Sequence, residues 1–516
     1  MKQKHLRIFR LFISLIFLVA FTVIFIDFRE IIPTAWVHLI HDLQFIPSII
    51  NFVAIMSVSA LGFLIVLILT LLFGRVYCST LCPMGILQDV FTFISRKLSV
   101  KTHFKYSRPL NFIRYGFLVL SLVSLVFGSL LTLYLLDPYS NFGRIFSNLV
   151  RPVVISLNNL MAGLFMKMNL FFLYKVDFKG FELREALFPV VMLAVILWLS
   201  LTRGRLFCNT VCPVGTLLGI LSRLSLFRIK IDKFSCTRCG KCSVVCKSSC
   251  INVKTMEVDF SRCVGCFNCL TVCAENSIHY KLNLSAKKAR SDEPSKREFL
   301  SKSMVFFLAM AGLNSRQRIR KGMGGRSISI EEKRPVSPPG SLSLKHFNDY
   351  CTACHLCVTT CPSQVLQPSF LEYGFTSMLQ PHMDFNTGFC EYECTKCSEV
   401  CPTGAILPLT IEDKKLTQIG KVHFVIEDCI VYTDETACGS CSEHCPTQAV
   451  RMVPYKPGLT IPEIHPSTCI GCGACEHVCP ARPRKAIFVD GSPVHRVAKE
   501  PEFKELDYSD TEEFPF

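Results

Sequence analysis

Long apolar stretches dominate the first part of the chain and predict helices that cross a lipid bilayer. Each of four stretches is close to the roughly 20 apolar residues that a spanning helix needs; they are residues 8–27, 52–73, 115–136 and 186–202. A further apolar stretch, residues 152–174, carries three asparagines and a lysine, so we expect it to lie at the membrane surface or to re-enter the membrane. The pattern predicts four transmembrane helices.

Basic residues predict how these helices are oriented. Lys and Arg precede the first stretch, fill the segment from Arg75 to Arg114, and follow the fourth stretch from Arg203 to Lys230. Short loops rich in Lys and Arg stay on the cytoplasmic side, so we expect the N-terminus and both of these segments there. No small-residue cleavage site follows Asp27, which favours a retained anchor over a signal peptide.

An internal repeat supports the same topology. Residues 74–85 read GRVYCSTLCPMG, and residues 204–215 read GRLFCNTVCPVG. Each copy follows an apolar stretch, so the membrane part is predicted to be two duplicated helical hairpins with both copies on one side.

Composition changes after residue 280. Residues 281–342 are rich in Lys, Arg, Ser, Gly and Pro and predict a linker. Within it, Ser295–Leu300 and the short apolar run after it resemble a twin-arginine export signal, with a membrane-surface helix as the alternative. Residues 1–342 carry 43 Lys and Arg against 17 Asp and Glu, whereas the rest carries 13 against 23. The two parts are therefore predicted to lie in different surroundings.

The chain has 29 cysteines, and 24 of them fall into six closely spaced groups. The spacing C-x2-C-x2-C-x3-C is that of bacterial two-cluster ferredoxins, where the fourth cysteine binds the neighbouring [4Fe-4S] cluster. The first two groups have this spacing and are predicted to exchange their fourth cysteines; they are Cys236, Cys239, Cys242, Cys246 and Cys263, Cys266, Cys269, Cys273.

Four further groups each end in Cys-Pro: Cys351, Cys354, Cys357, Cys361; Cys390, Cys394, Cys397, Cys401; Cys429, Cys438, Cys441, Cys445; and Cys469, Cys472, Cys475, Cys479. Two of them have a longer first gap, and the spacing leaves open which groups pair. Six [4Fe-4S] clusters are expected in total.

Five cysteines remain. Four form the two C-x3-C-P sites of the repeat, and the duplication should bring them together at the cytoplasmic membrane surface; they are Cys78, Cys82, Cys208 and Cys212. They are predicted to bind a further metal or cluster, with packing as small apolar side chains at helix ends as the alternative. We expect no role for Cys250.

Several other classes of protein are disfavoured. Disulfide frameworks belong to small secreted chains, and zinc sites use spaced pairs of cysteines. The basic residues flank apolar spans, which disfavours a nucleic-acid partner. No catalytic triad, P-loop or dinucleotide-binding motif is present.

The quoted motifs resemble a known family. Residues 1 to about 280 resemble NapH, the membrane component of a quinol dehydrogenase, and residues 295 to about 490 resemble its partner NapG. The C-x3-C-P sites are also similar to those of NosR and CcoG. The resemblance implies a quinol-linked oxidoreductase subunit of anaerobic respiration that carries electrons from the quinol pool to a partner reductase or cytochrome. Transfer from a cytoplasmic donor to quinone, or maturation of another redox enzyme as a metal reductase, stay as alternatives.

The predicted fold is an α-helical membrane module with four transmembrane helices plus α+β ferredoxin-like 4Fe-4S domains. The predicted divisions are a membrane module at 1–230, a two-cluster domain at 231–280, the linker at 281–342, a four-cluster domain at 343–490 and an acidic tail at 491–516. We expect a multi-pass protein of the bacterial inner membrane, with 231–280 cytoplasmic and 343–516 periplasmic. His38, His41 and Asp42, between the first two helices, are predicted to bind quinol.

Overall fold

A computed structural model describes residues 2–29, 31–56, 61–98, 104–178, 183–282 and 334–501. The twin-arginine-like segment and most of the predicted linker and acidic tail lie outside these residues.

The N-terminal part is helical, with α1 (Lys2–Ile26), α2 (Thr34–Asp42), α3 (Phe45–Ile55), α4 (Gly62–Phe73), α5 (Tyr77–Thr80), α6 (Pro83–Lys97), α7 (Asn111–Val126), α8 (Leu131–Leu136), α9 (Pro138–Ile145), α10 (Arg151–Lys167), α11 (Leu183–Arg203), α12 (Leu206–Thr210) and α13 (Pro213–Leu221).

The helices divide the apolar stretches differently from the prediction. The second stretch is split between α3 and α4, and the third is split between α7 and α8. By length and composition, three helices of the described residues suit a membrane span, namely His5–Ile26, Pro138–Lys167 and Arg184–Arg203; the bent pair α2 and α3 raises the number to four if it forms one span. Several apolar helices are thus present, while the predicted count of four spans stays a prediction.

Residues 152–167 form part of a much longer helix than we expected, whereas residues 168–174 are not helical. The helix Pro138–Lys167 continues from α9 through a π-helical turn, Phe146–Val150, into α10. Asn158 and Asn159 are satisfied by protein, because Asn159 Nδ2 donates to the Val176 carbonyl at 2.8 Å and the Arg29 guanidinium donates to Asn158 Oδ1 at 3.0 Å. These contacts remove the polar cost that argued against a span.

Residues 227–282 form a small α+β unit with two antiparallel strand pairs. Strand β1 (Phe227–Ile231) pairs with β4 (Ile278–Leu282), and β2 (Ile251–Asn252) pairs with β3 (Glu257–Val258). Helices α14 (Lys241–Val244) and α15 (Asn268–Val272) each carry cysteines. The pairing of β1 with β4 brings the two ends of the unit together and encloses both cysteine groups.

Residues 334–501 form a larger unit of short helices and three antiparallel strand pairs. The pairs are β5 (Leu366–Gln367) with β6 (His382–Met383), β8 (Val450–Lys456) with β9 (Leu459–Ile464), and β7 (Thr417–Phe424) with β10 (Ile487–Val497). The helices are α16 (Leu344–Tyr350), α17 (Leu356–Thr360), α18 (Lys396–Glu399), α19 (Ile411–Leu416), α20 (Ile430–Thr433), α21 (Ser440–Glu443) and α22 (Ala474–Val478).

The two cysteine-rich units lie at opposite ends of α1. Near its start, the Arg7 guanidinium donates to Thr271 Oγ1 of the small unit at 3.3 Å. Near its end, Phe25 packs against Gly143, and a Cβ added to Gly143 would lie 2.3 Å from the carbonyl oxygen of Cys354 in the larger unit. At 1.5 Å per residue, the helix between Arg7 and Phe25 is about 27 Å long. That length is close to the hydrocarbon thickness of a bilayer.

Candidate iron-sulfur sites

The compact cysteine loops share one backbone conformation. In each of the four C-x2-C-x2-C loops, the residues directly before and after the second cysteine have φ between +50° and +80°. These residues are Arg238 and Gly240, Gly265 and Phe267, Ala353 and His355, and Gly471 and Gly473. Left-handed residues in such loops turn successive backbone N–H groups toward one point, an arrangement that recurs at Fe–S sites. The loops are therefore shaped for an anionic centre.

The two groups with longer first gaps lack this conformation after the second cysteine. Thr395, which follows Cys394, has φ −115°, and Gly439, which follows Cys438, has φ −133°. In these two loops, the extra residues come between the first and the second cysteine. The backbone around the second cysteine therefore differs between the compact and the longer loops.

In the small unit, the predicted exchange of fourth cysteines matches the geometry. A cavity of about 230 Å³ is lined by the first three cysteines of one group and the last of the other, which are Cys236, Cys239, Cys242 and Cys273. The thiolate of Cys269 interacts electrostatically with those of Cys263, Cys266 and Cys246. These sets fit two [4Fe-4S] clusters, and the assignment of individual ligands stays a prediction.

In the larger unit, the structure places the pairing that the spacing left open. Cys401 interacts electrostatically with Cys351, Cys354 and Cys357, and Cys361 interacts with Cys390, Cys394 and Cys397. The thiols of the first two groups thus form two sets of four in which the fourth cysteines are exchanged, and the assignment of individual ligands stays a prediction.

The third and fourth groups pair in the same way. Cys429, Cys438, Cys441 and Cys479 line one pocket, and Cys445 interacts with Cys469, Cys472 and Cys475. Four further sets of four thiols result. Within the described ranges, no three His, Cys, Asp or Glu side chains lie close enough to hold a single metal ion. Cysteines that surround a cluster of several irons lie farther apart than the ligands of one metal ion, and these sets are consistent with that.

Cys250, for which we expected no role, lies against one of the cysteine sets. It is 1% exposed, and its sulfur lies 3.5 Å from Cys246 Sγ. It also forms a side-chain hydrogen bond with Cys263, and it lines the same pocket as Cys246, Cys263 and Cys266. Cys250 therefore lies within hydrogen-bond distance of a thiol of this set, and its single S–H proton can be donated to one sulfur at a time.

The four cysteines of the repeat meet in one buried site. They are 3–4% exposed, and the Cys82 thiolate interacts electrostatically with Cys78, Cys208 and Cys212. Pro83 and Pro213 begin the helices α6 and α13 directly after a cysteine, where proline is well tolerated. The duplication thus does bring both C-x3-C-P sites together, as predicted.

Two buried arginines cross between the copies of the repeat. The Arg75 guanidinium donates to the Cys208 carbonyl at 3.0 Å, and the Arg205 guanidinium donates to the Cys78 carbonyl at 2.6 Å. Gly85 and Gly215 leave room for these contacts, since a Cβ at Gly85 would lie 2.2 Å from the Cys78 carbonyl oxygen and one at Gly215 would lie 2.1 Å from that of Cys208. Both arginines stand in the quoted repeat, so the signal for them was present in the sequence.

Asp89 carries the negative charge beside this site. It accepts from Arg205 Nε at 2.9 Å and forms ion pairs with Arg10 and Lys247. Burial raises the pKa of Asp89, but the charges of Arg205, Lys247 and Arg10 outweigh burial and hold the pKa well below its ordinary value. Sequence reasoning missed Asp89, because a single acid within an amphipathic helix looks like a solvated residue.

Known proteins match these segments. The family described as a 4Fe-4S binding domain matches residues 55–101 and 185–233, and families described as 4Fe-4S dicluster domains match residues 259–365, 350–406 and 436–482. MauM of Paracoccus denitrificans, a methylamine utilization ferredoxin-type protein, is 31% identical over 169 residues, which are 30% of this chain and 70% of that protein. The chain belongs to the ferredoxin-type 4Fe-4S proteins.

Two other ferredoxin-type relatives match as well. NapF of Escherichia coli K12 is 28% identical over 145 residues, which are 28% of this chain and 80% of NapF. NapH of Haemophilus influenzae is 27% identical over 184 residues, which are 36% of this chain and 51% of NapH. No solved structure matches. The predicted resemblance to NapH is confirmed, and the similarity to NosR and CcoG stays a prediction.

One family match differs from the geometry of this ferredoxin-type chain. The match to residues 259–365 joins the second and third cysteine groups across the predicted linker. In the structure, the group of Cys263 pairs with that of Cys236, and the group of Cys351 pairs with that of Cys390.

The predicted quinol residues have three different surroundings in this ferredoxin-type protein. His38 is exposed, Asp42 is partly buried, and His41 is buried with its Nδ1 2.9 Å from Tyr139 Oη. Tyr139 in turn interacts electrostatically with Cys354 and Cys401. Of the three residues, His41 alone is linked to a cysteine set by such a contact.

Proposed function

We propose that this chain is a membrane-bound electron carrier that links the quinol pool to a partner reductase through six [4Fe-4S] clusters. Its membership of the ferredoxin-type 4Fe-4S proteins makes electron transfer its general role. The observation that carries the finer proposal is the position of cysteine sets at both ends of α1, which has the length of a bilayer span. Each bound cluster would accept and release one electron.

The outer surface of the helical part supports contact with lipid. On α1, Ile8, Phe12 and Leu15 are 60–63% exposed, and on α11 Trp198 is 65% exposed. Soluble proteins rarely leave a continuous apolar face of this kind uncovered. We infer an inner-membrane location, with residues 231–282 in the cytoplasm and residues 334–501 in the periplasm.

His41 and Tyr139 form the proposed quinol-side pair. A quinol gives up two protons and two electrons when it becomes a quinone. His41 has a ring nitrogen that can take a proton through its contact with Tyr139 Oη, and Tyr139 lies beside the set of Cys351, Cys354, Cys357 and Cys401. One buried pair would thus place acceptance of one proton beside a one-electron acceptor, and the second proton and electron of the quinol would follow after the first have been passed on.

The topology is tested with epitopes at both ends of the full chain in intact spheroplasts. Added protease is expected to remove the epitope after Phe516 and to spare an epitope before Met1, with a cytoplasmic marker reporting lysis. Protection of both epitopes would keep every cluster on one side and would contradict the transmembrane arrangement.

The quinol proposal is tested by replacing His41 with Gln in the purified full chain. Loss of a positioned proton acceptor is expected to slow reduction of the clusters by a quinol analogue by about 100-fold. The measurement is the initial rate of bleaching of the cluster absorbance after anaerobic mixing. The exposed His38→Gln is the matched control, and equal rates in both variants would remove His41 from the proposal.

The maturation alternative is less well supported. A metal reductase or metal donor must expose its thiols to another protein. Cys78, Cys82, Cys208 and Cys212 are instead buried in the core of the helical part, at 3–4% exposure.

A further inference from the structure

A cleft rich in arginine lies where the helical module, α1 to α13, meets the small unit. Arg108 lies just before α7, Arg114 lies in the first turn of α7, and Arg203 is the last residue of α11. Arg262 reaches the cleft from the small unit, between β3 and α15. Four guanidinium groups from separate segments of the chain thus line one cleft.

The positive charge of this cleft is only partly compensated. Asp259 pairs with Arg262 at 2.6 Å and also interacts electrostatically with Arg114. Arg108 and Arg203 are exposed, and within the part of the chain that the structure describes neither forms an ion pair with a carboxylate. The cleft therefore attracts an anion.

Two buried donors of the lining residues lack a partner. Ser248 is 6% exposed and Arg262 is 4% exposed. Among the described residues, Ser248 Oγ and Arg262 Nη2 form no hydrogen bond. A buried donor without a partner is costly, and a bound group with oxygen acceptors removes that cost. These donors favour a ligand that enters the cleft over counter-ions that stay at its surface.

The donor set suits a phosphate group. Guanidinium groups bind phosphate oxygens through two parallel hydrogen bonds, and several arginines can share one phosphate. Helix α7 begins at Asn111, directly after Leu110 of the lining, so the positive end of its dipole lies at the same cleft. A phosphate can accept from several of these donors at once.

Apolar side chains beside the cleft favour a phospholipid over free phosphate. Leu110 is 41% exposed, and in the first turn of α7 Phe112 and Ile113 are 93% and 44% exposed. On α11, the exposed Trp198 precedes the exposed Arg203, an order typical of the membrane–water interface. Basic pockets between membrane helices on the cytoplasmic side bind the headgroups of anionic lipids.

We propose that this cleft binds the phosphodiester headgroup of an anionic phospholipid. Arg108 and Arg203 hold the phosphate from the helical module, and Ser248 and Arg262 donate to it from the small unit. The acyl chains lie along the exposed apolar side chains of α7. The lipid thereby fastens the small unit to the membrane surface. This inference rests on the proposed membrane location, but it requires neither quinol nor a direction of electron flow.

The test is thermal unfolding of the full chain, purified anaerobically in a neutral detergent. Phosphatidylglycerol is expected to raise the unfolding temperature in a saturable manner, because a ligand of the folded state stabilises it. Phosphatidylcholine, which has a phosphate but no net charge, should have little effect at the same concentration. An equal rise with both lipids would contradict a headgroup site. An equal rise with inorganic phosphate would assign the cleft to a free anion and overturn the lipid proposal.

The decisive variant combines Arg108→Gln with Arg203→Gln. Both side chains are exposed, so folding should not suffer. Loss of two charges is expected to raise the phosphatidylglycerol concentration of half-maximal effect by about 30-fold. The matched control combines Lys233→Gln with Lys254→Gln, which removes the same charge from exposed residues that do not line the cleft. The same lipid dependence in both double variants would overturn the proposal.

Ser248→Ala tests the buried side of the cleft. Its hydroxyl has no partner among the described residues, so we expect unchanged stability without lipid and about 10-fold weaker binding of phosphatidylglycerol. Lower stability without lipid, together with unchanged lipid binding, would mean that Ser248 has only a structural role and would contradict the placement of the headgroup. Loss of cluster reduction by quinol with lipid binding intact would instead reject only the proposed function.

Discussion

The two copies of the repeat have the same arginine, cysteines, proline and glycine but differ in what surrounds them. In the first copy, Gln88 and Asp89 follow the motif, and they reach Cys208 Sγ and Arg205 of the second copy. The corresponding residues of the second copy are Leu218 and Gly219. A Cβ at Gly219 would lie 2.0 Å from the Arg114 guanidinium, which donates to the Ser261 carbonyl at 3.0 Å.

The residues that the two copies share have a different role from the residues in which the copies differ. The preserved residues place four thiols and two crossing arginines. The diverged residues let Asp89 stabilise three cations, while Gly219 admits Arg114 beside the small unit. Among the described residues, Arg205 therefore has a carboxylate partner and Arg75 has none, so the site is symmetric in its thiols and asymmetric in its charge.

Asp89→Asn should break this asymmetry with the largest effect. Three buried cations would lose their carboxylate, and removing one partner of a buried ion pair costs about 3–5 kcal/mol. The free energy of unfolding of the detergent-solubilised chain checks this, with the exposed Asp434→Asn as the control. A loss as small as that of the control would show that Asp89 is not the partner of these cations.

The pH dependence of stability tests the same ion pairs of Asp89. Because the three cations hold the pKa of Asp89 below its ordinary value, the stability that it contributes is present above the usual carboxyl range and is lost as the pH falls below that range. We expect wild type and Asp89→Asn to differ most near neutral pH and to converge in strong acid. Parallel stability curves across that range would contradict the assignment.

Gly85→Ala and Gly215→Ala should have intermediate and nearly equal effects, because each Cβ would meet a cysteine carbonyl of its own copy. Overpacking of this kind costs about 1–3 kcal/mol. Thermal unfolding measures it, and Gly116→Ala is the control, since nothing lies within 4 Å of that Cβ. A large difference between the two variants would mean that the copies do not share their geometry.

Gln88→Leu should have the smallest effect, since it gives the first copy the residue found in the second. The variant removes a side-chain amide whose Nε2 lies 3.4 Å from Cys208 Sγ and whose Oε1 lies 3.6 Å from it. A single hydrogen bond contributes about 0.5–1.5 kcal/mol, so we expect the free energy of unfolding to fall by no more than that amount. A loss as large as that of Asp89→Asn would show that Gln88 does more than contact this sulfur.

Much of the cluster chemistry could be predicted from spacing, because a C-x2-C-x2-C loop has few ways to arrange three thiols. The exchange between Cys246 and Cys273 followed from this rule. The exchange of Cys361 and Cys401 between their two groups could not be predicted from the sequence, since it depends on how α17 and α18 pack. Arg75 was visible in the repeat, but its lack of an acidic partner is a tertiary property.

The helical part was predicted less well, because hydropathy does not report breaks in a helix. Met56 ends α3 in a left-handed conformation, so the second apolar stretch is not one helix. Asn158 and Asn159 counted against a span in the sequence, yet Arg29 and the segment after the helix satisfy them. A polar residue is costly in a membrane only when it has no partner.

The larger unit and the helical module are joined by direct hydrogen bonds as well as by the chain itself. Tyr134 Oη donates to the Met378 carbonyl at 2.8 Å, and the Arg151 guanidinium donates to the Thr359 carbonyl at 2.9 Å. These contacts form a docking face that two separately encoded proteins could also use. Joining the partners raises their effective concentration to the millimolar range. The covalent link therefore keeps this face occupied without a need for high affinity, and the stoichiometry of the two halves is fixed at synthesis.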